Sequence, residues 1–328
     1  MKNLYIIGNG FDLYHGLDTK YQSFAKFLAK KYPSYYDDIT KYLNLPDISK
    51  DSANDEEYAQ WANFELSLAD LDYEEVLSEF YDDDMPNPGS DDFSDGDWDT
   101  YRVRMEEIVE QLTITLISYF NEFILSVNYP DNIQDKKIIL QSQSIFINFN
   151  YTDTLERLYQ IENEIICYIH GKSSNNESEI ILGHGTNPSN FDVQEPKPPA
   201  GLSDDEMDSR NESILDQTEF SFEQAKLEIH SYYTKSFKNT QIVIENNIDF
   251  FNNLNAIENI FVLGHSISSV DIEYFKTVKE SSTINAKWQV TYYSEDEKQK
   301  HLDTLIELGI KRENIIQLKI EALRKERA

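Results

Sequence analysis

The chain has 328 residues, which is enough for one large domain with an insertion or for two domains. Its 60 acidic and 29 basic side chains give a net charge of −31, and a surface this negative repels phosphate backbones, which disfavours broad nucleic-acid binding. The single cysteine, Cys167, excludes an internal disulfide. No run approaches about 18 consecutive apolar residues and no signal-peptide pattern opens the sequence, so we expect a cytoplasmic protein that enters no membrane.

The first part of the chain predicts one strand followed by helices. Residues 3–7 are mostly apolar and end at Gly8, a pattern that is typical of a buried strand. From about residue 19 to 78, and again from 101 to 127, apolar residues recur at helical spacing. Residues 81–100 between them are acidic and rich in Pro and Gly, which predicts a solvated loop.

The rest of the chain alternates between strand-like and helical patterns. Helices are predicted at about 219–253 and 295–310, and the acidic, proline-containing residues 186–217 predict a long loop or lid. Strands are predicted at 144–150, 165–171, 179–185, 259–266, 287–294 and 314–320.

Strands that alternate with helices favour a parallel sheet. The predicted fold class is therefore α/β, with a Rossmann-like, mainly parallel sheet and a large helical insertion after the first strand. We expect the α/β domain to comprise residues 1–19 and 137–328, and the insertion to comprise residues 20–136.

The first predicted strand ends in the turn Gly8-Asn9-Gly10, followed by Phe11 and Asp12. A strand, a Gly-x-Gly turn and then a helix is the context in which backbone amides bind a dinucleotide phosphate. The third glycine of that fingerprint would fall at Leu13, which disfavours a standard dehydrogenase unit. By itself the turn is equally consistent with a purely structural bend.

Polar residues also follow three later strands. Asn150 ends the stretch FINFN and precedes Tyr151 and Asp153, while His170 precedes a glycine in YIHG. Asn150 is a candidate to hold a ribose hydroxyl or a water, and His170 is a candidate general base. Alternatively, Thr152 or Asp153 is only the N-cap of a helix. His170 is alternatively a histidine that is merely hydrogen-bonded in the core.

The stretch FVLGHS adds Gly264, His265 and Ser266 at the end of another strand. Gly264 permits close approach of the backbone and Ser266 can hydrogen-bond a ligand, or cap a helix instead. A zinc site on His170, His184 and His265 lacks the usual spacing and cysteine partners, so no metal is expected. Four polar strand ends on one edge of a parallel sheet would line a single crevice, which is the strongest inference from the pattern alone.

Five stretches, taken together, resemble the AbiH family of bacteriophage abortive infection proteins. They are IIGNGFDLYHGLDTKYQSF, FNYTDTLE, IHG, LGHG and VLGHSISSVDIEYF. The resemblance covers residues 4–24, 145–185 and 259–275, with a less distinctive element at WANFE. It implies a role in anti-phage defence.

A more distant resemblance links the same elements to sirtuin-like domains that degrade NAD. It implies that Asn150 and His170 are catalytic, with NAD as the substrate rather than a resident cofactor. It also implies a set of residues that contact the dinucleotide: Gly8, Asn9, Gly10, Phe11, Asp12, Tyr151, Asp153, Gly264, His265 and Ser266. The four-cysteine zinc module of deacetylating sirtuins is absent, because the chain has one cysteine.

Three hypotheses follow: an NAD glycohydrolase, a nucleotide-binding sensor without turnover, and a nuclease effector. The net charge and the lack of a paired-acid metal motif argue against the nuclease. The expected partners are a small dinucleotide and either a second copy of the chain or a phage-derived trigger.

Overall fold

The computed structural model describes residues 1–50, 53–87, 89–191 and 217–324. The strands are β1 Asn3–Ile7, β2 Ser144–Asn148, β3 Ile166–Tyr168, β4 Asn259–Leu263, β5 Lys287–Thr291 and β6 Ile315–Leu318. The helices are α1 Asn9–His15, α2 Tyr21–Lys31, α3 Pro33–Tyr42, α4 Asp55–Ala62, α5 Phe64–Ser67, α6 Tyr73–Asp84, α7 Thr100–Glu110, α8 Leu116–Ser126, α9 Thr154–Tyr159, α10 Gln217–Lys235, α11 Thr240–Asn246, α12 Ile248–Asn252, α13 Ile272–Ser281 and α14 Glu295–Glu307.

All six strands pair in parallel, in the order β3-β2-β1-β4-β5-β6. The predicted α/β class with a Rossmann-like parallel sheet is therefore confirmed. The chain leaves β1 in one direction to form β2 and β3 and in the other to form β4, β5 and β6. The strand order thus reverses between β1 and β4, and in open α/β sheets ligands bind beyond the carboxyl ends of the strands at such a reversal.

Both faces of the sheet are covered, because side chains alternate along each strand. In β1, Leu4 and Ile6 enter one core, where helices α11 to α14 contribute Val243, Phe251, Phe275 and Leu305 among others. Tyr5 and Ile7 point the other way and pack with Phe11 of α1, Phe146 of β2 and Leu155 of α9. This arrangement defines a doubly wound sheet.

The chain divides into two compact units. Unit 1 comprises Met1–Phe27, Tyr119–Gly185 and Lys238–Ala328 and contains the sheet. Unit 2 comprises Leu28–Ser118 and Thr186–Phe237 and is helical in its described residues.

The core of unit 2 is rich in aromatic side chains whose polar tips bond to backbone carbonyls. The indole Nε1 of Trp61 donates to the carbonyl of Pro46 at 2.8 Å, and the hydroxyl of Tyr232 on α10 donates to the carbonyl of Leu68 at 2.7 Å. These two large rings are therefore buried with their polar groups hydrogen-bonded.

Several predicted elements differ from the structure. Residues 179–185 form no strand; the Ile181 amide donates to the carbonyl of His170, just beyond β3, at 2.8 Å, and the His184 carbonyl accepts from the Lys238 amide at 2.8 Å. The predicted loop at 81–100 begins inside α6, which continues to Asp84. The region 219–253 is helical as predicted and contains α10, α11 and α12, whereas most of the predicted loop at 186–217 lies outside the described residues.

One helical stretch, Asp95–Ser126, is long and apolar enough to pass a length-and-composition test for a membrane span. Half of its most apolar window is buried inside the protein. The core helix of a globular protein passes the same test, so the stretch is weak support for a membrane segment.

Candidate functional site

The carboxyl ends of β1, β2, β3 and β4 meet along one edge of unit 1. Gly8 follows β1, Asn150 lies just beyond β2, His170 just beyond β3, and Gly264 follows β4. Because these four strands are adjacent and parallel, the residues that the sequence singles out share one edge, and they surround the reversal between β1 and β4.

The glycine turn after β1 packs directly against the turn after β4. The amide of Gly8 donates to the Leu263 carbonyl at 3.0 Å, and the amide of Gly10 donates to the Gly264 carbonyl at 2.7 Å. A Cβ added to Gly8 would lie 2.6 Å from the Cα of His265, so no larger residue fits there. Close approach of two turns therefore explains the glycines, and two of their amides already have protein acceptors.

The two residues that flank Gly10 have different environments. The Asn9 side chain is exposed, and its amide nitrogen donates to the Thr19 carbonyl at 3.2 Å. Phe11 is fully buried in the core beneath α1. Of the candidates on this turn, Asn9 is the side chain that reaches solvent.

Asp12 is fully buried beside the loop that follows β2. Its Oδ2 accepts a hydrogen bond from the hydroxyl of Thr152 at 2.6 Å, while Oδ1 has no hydrogen-bond partner. Burial raises the pKa of Asp12 to about 6, against the lowering effect of the Thr152 hydrogen bond. A ligand would reach this carboxyl only if the surrounding residues moved.

The loop after β2 is held by its own amides. Asn150 donates from Nδ2 to the carbonyl of Gly8 at 3.1 Å, and its backbone amide donates to Oδ1 of Asn148 at 3.0 Å. Asn150 therefore ties the end of β2 to the glycine turn after β1. It stands at the centre of the edge, and only 5% of it is exposed.

Tyr151 and Asp153 are engaged with neighbouring elements. The Tyr151 hydroxyl donates to the carbonyl of Ile181 at 2.8 Å. Asp153 occupies the N-cap position of α9 without capping it; instead its carboxylate accepts from the Tyr129 hydroxyl at 2.7 Å and from Nε of Arg157 at 2.9 Å.

His170 is buried at the end of β3, with 3% of its surface exposed. Burial, followed by the positive charge of Lys238, holds the pKa of His170 well below its ordinary value. The ring hydrogen-bonds to the Phe149 backbone, whereas Nε2 has no hydrogen-bond partner. His170 is thus a neutral imidazole with an available lone pair, as a proton acceptor requires.

His265 follows Gly264 and is also buried, whereas Ser266 beyond it is exposed. The backbone amide of Ile267 donates to Nδ1 of His265 at 2.9 Å. Ile267 holds this position with φ of 49°, a left-handed conformation that β-branched residues rarely adopt. Such strain is retained where the surrounding structure imposes it, often at functional sites.

Two further residues complete the edge. Nζ of Lys238 donates to Oδ1 of Asp271 at 3.0 Å, and the lysine side chain has no exposed surface. Asp271 was visible in the sequence only as one of several polar residues after Ser266. Lys238 carried no signal, because a single lysine in the polar stretch after a helix is ordinary.

Among the described residues, no group of three or more His, Cys, Asp or Glu side chains is arranged to hold a metal ion. Unit 2 contains a separate groove of about 510 Å³, lined by Tyr73, Leu77, Tyr81 and Phe222 among others. It shares no residue with the edge of the sheet.

The fold and the polar edge define a Rossmann-like α/β protein whose candidate site is the edge of the sheet at the β1/β4 reversal. The family model of bacteriophage abortive infection AbiH matches residues 4–292, and the chain belongs to that family. No curated protein and no solved structure shows significant similarity to this chain. Membership supports a role in abortive infection, in which an infected bacterium sacrifices itself to stop phage growth.

Proposed function

We propose that this chain is a cytoplasmic abortive infection effector that hydrolyses NAD to nicotinamide and ADP-ribose. The observation that carries the proposal is the convergence of Asn150 and His170 on neighbouring strand ends beside the β1/β4 reversal. An amide and a neutral imidazole are the groups that a reaction of ribose with water needs.

Nicotinamide is a good leaving group because it departs neutral from a cationic pyridinium. In the proposed reaction a water oxygen bonds to C1′ of the ribose while the bond from C1′ to the ring nitrogen breaks, its electron pair going to that nitrogen. The proton lost by the water passes to Nε2 of His170. Asn150 orients the ribose and the water, and positioning of this kind supplies much of the rate in such reactions.

The phosphate contacts of the dinucleotide would come from groups that remain accessible. The Ser266 hydroxyl and the Asn9 side chain are exposed beside the glycine turns, and we propose that both face the ligand, Asn9 through the second N–H of an amide whose other N–H and oxygen bond to Thr19. The amides of Gly8 and Gly10 donate to protein carbonyls, so the glycines contribute shape rather than donors. The trigger would be a phage component or association with a second copy of the chain.

Burial of the two catalytic candidates fits a resting enzyme that is quiet until triggered. Asn150 and His170 are 5% and 3% exposed, so access to ribose requires the edge to open. The same burial also favours a second candidate, a nucleotide-binding sensor without turnover, because Asn150 is committed to the Gly8 carbonyl.

The test is to incubate the purified chain with NAD, with and without extract of phage-infected cells, and to measure nicotinamide release. We expect wild type to release nicotinamide and Asn150→Ala and His170→Ala to lose about 100-fold or more of the activity. His230→Ala and Asn63→Ala, both in unit 2, are the matched controls and should retain it. Tight ADP-ribose binding without nicotinamide would favour the sensor, and full activity in both crevice variants would reject the proposal.

A further inference from the structure

Lys238 is an unusual feature of the polar edge. Its side chain has no exposed surface, and it lies just after α10 with Nζ 3.0 Å from Oδ1 of Asp271. Lysine is almost never fully buried unless it is paired, because desolvating an ammonium is costly. The pair of Lys238 and Asp271 lies beside two histidines, His170 and His265.

The Asp271 carboxylate faces three cations or potential cations at once. Besides Lys238, Oδ1 lies 3.7 Å from Nε2 of His170, and Oδ2 lies 3.6 Å from Nε2 of His265. Asp271 follows the strained turn at Ile267, while the histidines end β3 and β4. One carboxylate thus joins the ends of two strands.

The hydrogen bonds assign opposite tautomers to the two histidines. The Ile267 amide donates to Nδ1 of His265, so the proton of that neutral ring sits on Nε2 and faces Asp271. His170 bonds to the Phe149 backbone and leaves Nε2 unpartnered, so its lone pair faces the cluster. A proton arriving at Nε2 of His170 would lie beside the Asp271 carboxylate.

We propose that Lys238 and Asp271 are positioning residues that set the proton affinity of His170. The negative charge of Asp271 stabilises a protonated His170 ring, while the Lys238 ammonium opposes it and keeps the resting ring neutral. This inference rests on the proposed function for its catalytic meaning, since His170 is the proposed proton acceptor. The electrostatic claim stands independently of that function.

Few charged or titratable side chains surround His170. Within the part of the chain that the structure describes, the titratable side chains that face it are Lys238, Asp271, His265, Tyr151 and Tyr274, and the Phe149 ring packs against it with ring centroids 5.2 Å apart. Of these, Lys238 and Asp271 bring permanent charges of opposite sign, and a positive charge on His265 would lower the pKa of His170 as Lys238 does. Removal of either charge should therefore move the His170 titration in a defined direction.

The experiment follows the six histidines of the full-length protein by NMR, with ¹³C-labelled histidine, from pH 8 down to the lowest pH at which the chain stays folded. His170→Gln assigns the His170 signal. The test variants are Lys238→Met and the double variant Lys238→Met/Asp271→Asn. The matched control is Lys172→Met, which removes an ion-paired lysine two residues from His170 whose partner, at 3.0 Å, is Glu156.

We expect Lys238→Met to raise the midpoint of the His170 titration by about one pH unit or more. Adding Asp271→Asn should lower it again, and Lys172→Met should leave it unchanged. Lys238→Gln, which keeps an N–H donor for Asp271, replaces the Met variant if that one does not fold. An unchanged midpoint in the Lys238 variants, or the same midpoint with and without Asp271, overturns the proposal.

The pH profile of nicotinamide release separates this inference from the proposed function. If the midpoint moves as expected and the active variants move the acidic limb of the profile with it, both stand. If the midpoint moves but no variant releases nicotinamide, the proposed hydrolysis fails and the electrostatic role remains. If nicotinamide is released but the midpoint does not respond to Lys238, the positioning role fails alone.

Discussion

Asp12 illustrates how strongly one buried residue can link stability to pH. Its carboxyl is fully buried with one oxygen unpartnered, and burial raises its pKa to about 6 from an ordinary 3.8. The unfolded chain loses this proton near pH 4, whereas the folded chain keeps it until about pH 6. The group therefore favours the folded state at low pH, and that contribution is lost as the pH rises through about 6.

We predict that Asp12→Asn is more stable than wild type above pH 7, by up to about 3 kcal/mol, and that this advantage disappears near pH 4. The amide keeps an oxygen for the Thr152 hydroxyl and carries no charge. Urea denaturation at pH 4 and pH 8 measures the difference. Asp37→Asn, an exposed acid on α3, should show no such pH-dependent gain, and an Asp12 variant with equal effects at both pH values would contradict the account.

At the scale of elements, the contact between the β1 and β4 turns organises the candidate site. Gly264 has φ of 63°, and a Cβ there would lie 2.2 Å from the backbone nitrogen of Phe11. Gly309 also has a positive φ, of 84°, but its added Cβ would meet nothing nearer than the flexible Lys279 Nζ at 3.7 Å. Both glycines have a positive φ, but an added Cβ would clash with the backbone only at Gly264.

Substitution of these two glycines separates the effects. We predict that Gly309→Ala costs about 1 kcal/mol of unfolding free energy, the ordinary strain of a left-handed alanine. Gly264→Ala should cost about 3 kcal/mol or more, because the two turns must also separate. Chemical denaturation of both variants measures the costs; equal losses would mean that the turns do not need their close approach.

The pattern of elements predicted the fold better than it predicted the contacts. Alternating strands and helices predicted the parallel sheet, since parallel strands need crossover connections and these are usually helical. Residues 179–185 have the composition of a strand but make isolated backbone hydrogen bonds, to His170 and Lys238, in place of a strand ladder. Whether a segment finds a neighbouring strand to pair with depends on the tertiary structure, which the composition of the segment does not specify.

The candidate site was predictable in outline for the same reason. Polar residues directly after buried strands must reach the carboxyl edge of a parallel sheet, so His170 and Gly264 could be placed there from the sequence. The pairing of Lys238 with Asp271 spans 33 residues and depends on how helices return to the sheet, which no local pattern specifies.

At the scale of the whole molecule, the net charge of −31 constrains how any dinucleotide would bind. Long-range repulsion between the chain and an anionic ligand is screened by salt, with a Debye length of about 10 Å at 0.1 M. We predict that the affinity for ADP-ribose, measured by calorimetry, rises as NaCl increases from about 20 to 200 mM. A fall over that range would indicate a locally basic site instead.

The central claim is that unit 1 takes a dinucleotide beyond the carboxyl edge of its sheet. The most direct measurement is a crystal structure of the chain soaked with ADP-ribose. The account predicts density for the ligand beside Gly10, Asn150 and Ser266, with the ribose nearest His170. Density in the groove of unit 2, or at the opposite edge of the sheet, would contradict it.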